Sequence, residues 1–225
     1  KLQAGLDLVH GPILRIAWFD RGDSRPAGLL IIIHHLAVDG VSWRILLEDL
    51  ETIVRQLQAS QPARLPARTS SFQSWTRRLA DYTGSSELLQ EADLWLAGDG
   101  VDDVYLPVDS QQGENREASV RLVTERLDAE ATTTLLQKVP AAYHTRINDV
   151  LLAALVPTLT QWTHRPTIQL ALEGHGREDR FADVDLSRTV GWFTTLYPVT
   201  LRRADADHPA TLLTAVKEQL RSIPH

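Results

Sequence analysis

Two adjacent histidines followed by an aspartate and a glycine form the stretch of this chain best suited to acid–base chemistry. His34 and His35 end the apolar run 28–33, and Asp39 and Gly40 complete the sequence HHLAVDG. An imidazole titrates near neutral pH, so a histidine at the mouth of a cavity can serve as a general base. Because successive strand residues point to opposite faces, we expect one histidine to face a site and the other to face the packing.

The residues around HHLAVDG predict the elements that position it. The run 28–33 carries β-branched and leucine side chains on both faces, which is typical of a buried strand. Gly40 permits a tight turn after Asp39, and Ser42 is predicted to be the N-cap of a helix that begins at Trp43. The sequence therefore predicts a strand, a turn and a helix around the histidine pair.

A second cluster of chemically competent residues is LEGHGRE, residues 172–178. Glu173 ends a predicted strand on its less apolar face. Gly174 and Gly176 flank His175 and remove side-chain bulk, which would let a ligand chain lie close to the backbone. His175 itself is as well explained as a turn residue as it is as a ligand.

Arg177 completes this cluster with a positive charge. A guanidinium pairs well with a carboxylate, and we expect its partner to be either Asp39 or a substrate group. A third segment, RTVGWFTTLYP at 188–198, places Trp192 and Tyr197 near a glycine. These aromatic side chains could line an apolar channel, although such spacing is more often plain core.

Composition limits the classes of function. The chain has 225 residues, a formal net charge of −6 and a hydrophobic fraction of 43%. The charge argues against nucleic acid and anionic membranes as partners, and no apolar run approaches the roughly 20 residues that span a bilayer. The absence of cysteine excludes disulfides, thiolate nucleophiles and cysteine-ligated zinc, and fits a cytoplasmic protein. The absence of methionine favours an excerpt of a longer chain.

Hydrophobic periodicity predicts interleaved strands and helices, and therefore an α/β (α+β layered) fold. No internal repeat is present. The predicted strands are residues 12–19, 28–35, 118–127, 167–172 and 194–201. The predicted helices are residues 43–59, 71–82, 86–97, 128–139, 147–162 and 209–222, with a connection at 98–113.

The motifs HHLAVDGVSW, LEGHGRE and RTVGWFTTLYP, in this order, resemble the condensation-domain superfamily of nonribosomal peptide synthetases, and more narrowly its epimerization domains. The segment INDVLLAA at 147–154 is similar to a helix of the family's second lobe. The resemblance implies two chloramphenicol-acetyltransferase-like lobes that form a V around a tunnel. It places residues 1–105 in the first lobe, 106–117 in the connection and 118–225 in the second lobe. Such domains are longer at both ends, so we expect the central part of one.

The resemblance also implies a function. A carrier protein presents an aminoacyl or peptidyl thioester on a phosphopantetheine arm, and the domain inverts its Cα from L to D without a bound cofactor or metal. His35 and Glu173 are implied as the catalytic pair. His34, Asp39, Gly40 and Arg177 would support them, and the channel would be lined by Gly174, His175, Gly176, Trp192 and Tyr197. Neighbouring synthetase domains are the other expected partners of this isomerase.

Other interpretations remain open from the sequence. The fold would also suit a condensation domain that forms a peptide bond, but such a reaction has no evident need for the second carboxylate of Glu173. An inactive fragment that only docks a carrier protein is the third possibility. A metal site made of His34, His35 and Asp39 is disfavoured, because strand neighbours point apart.

Overall fold

The computed structural model describes residues 2–96, 106–110, 112–114, 116–205 and 208–224. Its mixture of helices and strands confirms the predicted fold class. The strands are β1 (Leu14–Phe19), β2 (Gly28–Ile33), β3 (Thr167–Gly174) and β4 (Thr195–Arg202). The helices are α1 (Gly40–Gln58), α2 (Phe72–Tyr82), α3 (Ser86–Leu96), α4 (Ala129–Thr133), α5 (Val139–Tyr143), α6 (Ile147–Thr163) and α7 (Pro209–Arg221).

The chain forms two compact units. The first contains Lys1–Leu89 and Glu173–Leu196, and the second contains Gln90–Leu172 and Tyr197–His225. HHLAVDG, the part of LEGHGRE that begins at Glu173, and RTVGWFTTL therefore belong to the first unit. The division into residues 1–105, 106–117 and 118–225 stays a prediction. Residues 97–105 of its first lobe, and residues 111 and 115 of its connection, lie outside the described residues.

In the first unit, β1 and β2 form an antiparallel pair in which Leu14 lies opposite Ile33 and Phe19 lies opposite Gly28. The prediction that residues 28–33 are buried on both faces is wrong, because Leu29 and Leu30 are exposed. Within the described residues, β2 is hydrogen-bonded only to β1, and Ile16 and Trp18 of β1 are exposed as well. A separate aromatic core lies beside α2, where Trp75 packs with Phe193 and Leu186.

The second unit is built on a conventional apolar core. Helices α6 and α7 pack against the sheet of β3 and β4. The buried members of this core are Leu152, Ala153, Val156, Ile168, Val199, Leu201, Leu213 and Val216.

Two predicted elements of the second unit differ from the structure. Residues 120–127 form no strand, and their apolar side chains are exposed, with Leu122 at 87%. An alternating pattern makes a strand only where a neighbouring strand completes its backbone hydrogen bonds. The predicted helix 128–139 is instead α4, a π-helical turn at Thr134–Lys138 and α5. Pro140 lacks the N–H that a regular α-helix would need at that point.

No helix among the described residues has both the length and the apolar character that crossing a lipid bilayer demands.

Leu201 provides a test of the second core, because its side chain is 0% exposed. We expect Leu201→Ala to lower the free energy of unfolding by about 3 kcal/mol, since it removes buried methyl groups and leaves a cavity. Leu196→Ala is the matched control, because Leu196 lies on the same strand and is 72% exposed. Urea unfolding measures both variants, and equal losses of stability would contradict this account of the core.

Candidate active site

Asp39 is the N-cap of helix α1, which begins at Gly40. The Asp39 Oδ1 atom accepts a hydrogen bond of 2.7 Å from the backbone N–H of Ser42. The prediction that Ser42 is the N-cap and that the helix begins at Trp43 is therefore wrong. The backbone of Asp39 is extended, so Gly40 already occupies the first helical position.

Arg177 forms a buried ion pair with Asp39, which is the first of the partners expected for it. Its Nη2 atom donates to Oδ1 at 3.1 Å and to Oδ2 at 3.2 Å. The side chains are only 8% and 4% exposed, respectively. The Arg177 Nη1 atom donates to the carbonyls of Leu186 and Thr189, and the guanidinium lies 3.9 Å from the centre of the Phe193 ring. One side chain therefore ties the start of α1 to the segment 186–193.

Ser42 is a central member of this network that its sequence context did not reveal. Its Oγ atom accepts from Arg177 Nη2 at 2.9 Å and from the Gly191 N–H at 3.1 Å, and donates to the Gly191 carbonyl at 2.9 Å. The residue is completely buried. The prediction that Ser42 caps the helix gave its hydroxyl a different partner. The one sequence feature that points to the observed role is that Ser42 lies only three residues after Asp39.

The carboxylate of Asp39 is held in its ionised form. Burial alone would raise its pKa, but hydrogen bonds from Ser42 and from the Phe193 N–H, together with the charge of Arg177, outweigh burial and lower the pKa of Asp39. The Phe193 N–H donates to Oδ2 at 3.1 Å. A carboxylate that is charged at neutral pH fits the structural role expected for Asp39.

Gly176 is required by the packing of the chain on itself. Its φ angle is +63°, and a Cβ atom added there would lie 1.7 Å from the carbonyl oxygen of Phe193. The expectation that this glycine lets a ligand approach the backbone is therefore corrected, because the space belongs to Phe193. Gly191 is similarly crowded, since an added Cβ would lie 2.4 Å from the ring of Phe72.

The segment 181–193 is also fastened to the residues before and along α2. Ser70 donates its N–H to the Asp185 carbonyl at 2.9 Å, and its own carbonyl accepts from the Thr189 hydroxyl at 2.6 Å. Arg78 pairs with Asp183 at 3.1 Å. Arg188 forms an ion pair with Asp49 of α1.

Glu173 lines a cavity of about 370 Å³ whose lining residues all belong to the first unit. The cavity brings the predicted site residues of LEGHGRE together with the start of α1. Its lining residues are Asp39, Gly40, Val41, Arg44, Glu173, Gly174, His175 and Thr194. Arg44 lies outside all three motifs, whereas Val41 and Thr194 lie within motifs but were not predicted as site residues.

Gly40 contributes to this cavity in a way that differs from its predicted role. It is the first residue of α1 rather than part of a tight turn before the helix, and its φ is not positive. A Cβ atom added at Gly40 would meet nothing within 4 Å, so the missing side chain leaves the cavity open beside Asp39.

The two histidines lie after strand β2 and not within it. The His34 N–H donates to the Ile13 carbonyl at 2.9 Å, and the chain then enters a 3₁₀ turn at His35–Ala37. The prediction that they point to opposite faces of a strand is therefore wrong.

His34 uses its Nδ1 atom to accept from the Leu36 N–H at 3.1 Å. His35 is exposed, and its ring lies 5.9 Å from the ring of Trp192. It is not among the residues that line the Glu173 cavity.

The remaining predicted residues have local roles. His175 accepts the Arg177 N–H on its Nδ1 atom at 3.0 Å, so it is a turn residue that also lines the cavity. Tyr197 belongs to the second unit, where it packs on the apolar core and its ring lies 6.5 Å from that of Trp95.

No group of His, Asp and Glu side chains that could hold a metal ion occurs in the part of the chain that the structure describes.

Residues 1–225 match the family model described as Condensation domain. Chondramide synthase cmdD of Chondromyces crocatus is 47% identical over 229 residues, covering 100% of this chain and 6% of that protein. Tyrocidine synthase 1 of Brevibacillus parabrevis is 40% identical over 227 residues, covering 100% of this chain and 20% of that protein. The chain therefore corresponds to a small part of each of these relatives.

Solved structures show the same fold. The epimerization domain from the third module of tyrocidine synthetase B, TycB3(E), is 39% identical, with a TM-score of 0.88 over 99% of this chain and 49% of that chain. The first condensation domain of the calcium-dependent antibiotic synthetase, in complex with a substrate analogue, has a TM-score of 0.67 at 19% identity, covering 93% of this chain and 47% of that one. The chain spans about half of each solved structure, and the fold predicted from the motifs is confirmed.

Replacing Asp39 tests the ion pair. We expect Asp39→Asn to lower the free energy of unfolding at pH 7 by about 3 kcal/mol, because the charge of Arg177 is then buried without its partner. Folding lowers the pKa of Asp39, so its contribution is complete above its unfolded pKa of about 3.9 and is lost as the pH falls through the folded pKa.

Urea unfolding at pH 7, 5, 4 and 3 measures this contribution. The wild-type protein should lose more stability than Asp39→Asn between pH 5 and 3. The exposed Asp23→Asn is the control and should keep the wild-type pH dependence. Parallel curves for the wild type and Asp39→Asn would show that this carboxylate does not carry the acid sensitivity.

Gly176→Ala tests the close approach of Phe193. We expect a loss of at least about 3 kcal/mol in the free energy of unfolding, because the new Cβ combines an unfavourable φ with a clash against backbone. Gly113→Ala is the control, since nothing lies within 4 Å of its added Cβ. Thermal unfolding compares the two, and a fully stable Gly176→Ala would refute the packing requirement.

Proposed function

This chain belongs to the condensation-domain family, and we propose that it is part of an epimerization domain of a nonribosomal peptide synthetase. The reaction is the inversion, from L to D, of the Cα atom of an aminoacyl or peptidyl thioester. A phosphopantetheine arm on a carrier-protein domain delivers this substrate. The proposal includes the carrier domain and neighbouring synthetase domains as partners, and the cytoplasm as the location.

The observation that carries this proposal is the position of Glu173. Glu173 lines the same cavity as Asp39 and Gly40 of the HHLAVDG motif. Peptide-bond formation between two carrier-bound substrates has no evident use for that carboxylate, whereas proton exchange at Cα requires a base. The similarity to TycB3(E), at twice the sequence identity found for the condensation domain, supports the same choice.

The reaction sets clear chemical requirements. A thioester acidifies the adjacent Cα–H bond, but the carbon acid remains weak, so a base must lie close to it. When the proton leaves, the C–H bonding pair forms a double bond between Cα and the carbonyl carbon, and the carbonyl π pair moves onto the oxygen. The resulting enolate needs stabilisation. The product forms when a proton returns to Cα from the opposite face.

Glu173 and His35 meet these requirements in the proposal. Glu173 exchanges the Cα proton on one face. His35 either exchanges it on the other face or, when protonated, stabilises the enolate oxygen. Either group could remove the proton from the L form. Arg44 adds a positive charge to the wall of the Glu173 cavity, where it can stabilise the enolate further.

A solvent-exchange experiment on the full-length protein tests the catalytic pair. The substrate is loaded on the carrier in D₂O, and deuterium at Cα is followed by mass spectrometry. We expect Glu173→Gln and His35→Ala each to slow deuterium incorporation by about 10²–10⁴-fold, the usual contribution of a general acid or base. Glu178→Gln is the matched control from the loop that directly follows β3, the strand that carries Glu173, and should exchange at the wild-type rate.

Three results of this experiment would count against the proposal. Wild-type rates in both Glu173→Gln and His35→Ala would remove the assignment of the pair. Equal slowing in Glu178→Gln would show a general effect of the loop. A wild-type protein that incorporates no deuterium, but joins its thioester to an amine acceptor, is a condensation domain.

A further inference from the structure

We propose that Trp192 is a positioning residue that holds the His35 imidazole in one orientation. The catalytic meaning of this inference rests on the proposed function. The contact itself is independent of which reaction the domain performs, because either reaction would place demands on the geometry of His35.

The side chain of His35 has little else to fix it. Its ring makes an edge contact with Trp192, at a centroid distance of 5.9 Å and an interplanar angle of 67°. Within the described ranges, no hydrogen bond to either nitrogen of the His35 ring is found, although such a bond usually sets the orientation of a functional imidazole. His34 contrasts with it, because its Nδ1 atom accepts from the Leu36 N–H. The aromatic contact therefore restrains His35 where a hydrogen bond is missing.

The backbone on both sides of Trp192 is fixed by the start of α1. The N–H and carbonyl of Gly191 both bond to the Ser42 hydroxyl, and the Phe193 N–H donates to Asp39. Gly191 and Phe193 are buried, whereas Trp192 between them is 43% exposed. Packing in a core therefore does not account for the direction of the indole, which points to His35 instead.

The chain that carries His35 is fixed by the same residues. The 3₁₀ turn at His35–Ala37 leads to Val38, which is 2% exposed, and then to the N-cap Asp39. Asp39 thus anchors both the segment after His35 and the segment that carries Trp192. Because Asp39 holds the backbone near both His35 and Trp192, the contact between the two rings is pre-organised. This matters because a small displacement of a reacting group can lower the rate by about 10²-fold.

Kinetics of the full-length protein test the inference, with Cα deuterium exchange as the readout. We expect Trp192→Ala to lower kcat by roughly 10–100-fold, with KM for an aminoacyl pantetheine thioester changed by less than about 3-fold. Trp192→Phe should keep kcat within about 3-fold of wild type, because it retains an aromatic edge. Trp192→Leu, which is bulky but not aromatic, should behave like Trp192→Ala. Trp162→Ala is the matched control and should leave both constants unchanged.

A double-mutant cycle with His35→Ala separates positioning from general structure. If Trp192 acts through His35, adding Trp192→Ala to His35→Ala lowers the rate by less than about 2-fold. A further loss as large as in the wild-type background would overturn the inference, as would full activity in Trp192→Leu or unchanged kinetics in Trp192→Ala. If the wild type exchanges no deuterium, the proposed function fails, and the same variants are then compared in peptide-bond formation.

Discussion

The buried ion pair between Asp39 and Arg177 is the interaction on which the arrangement of the candidate site depends. Two charges removed from water are costly unless each is paired and hydrogen-bonded, and here Ser42, Phe193 and the carbonyls of Leu186 and Thr189 supply hydrogen bonds to the pair. The partners are far apart in sequence, so the pair fixes how LEGHGRE and RTVGWF lie against the start of α1.

This constraint accounts for several features that would otherwise look unrelated. Gly176 must lack a side chain because the Phe193 N–H is hydrogen-bonded to Asp39, which holds the Phe193 backbone close to Gly176. Ser42 must be small and polar because its hydroxyl forms hydrogen bonds with both the N–H and the carbonyl of Gly191. The same anchoring leaves Glu173 on a cavity beside Gly40 and leaves Trp192 against His35. The supporting network is buried and hydrogen-bonded, while the groups proposed to meet the substrate remain accessible. That division suits the proposed reaction, which needs a site that is pre-organised and still open to a tethered substrate.

The sequence motifs predicted some properties of the site residues and not others. The motif order was enough to predict the family fold, and the charge of Arg177 was enough to suggest its pairing with Asp39. The direction of each histidine was not predictable, because the apolar pattern does not fix the residue at which β2 ends. A shift of that end by one residue changes which way each side chain points. Ser42, Arg44 and Phe193 were missed as contributors because their roles depend on segments distant in sequence.

The sequence by itself determined the secondary elements that have local causes: the helical periods of α1, α2, α6 and α7, and the strands that become β1 to β4. It also determined which residue types were available for chemistry. Only the tertiary structure decided that residues 120–127 form no strand, that Asp39 is the helix cap, and that Glu173 shares a cavity with Gly40. The physical reason is that periodicity and charge are properties of neighbouring residues. Strand pairing, buried ion pairs and cavities, in contrast, exist only when distant segments meet.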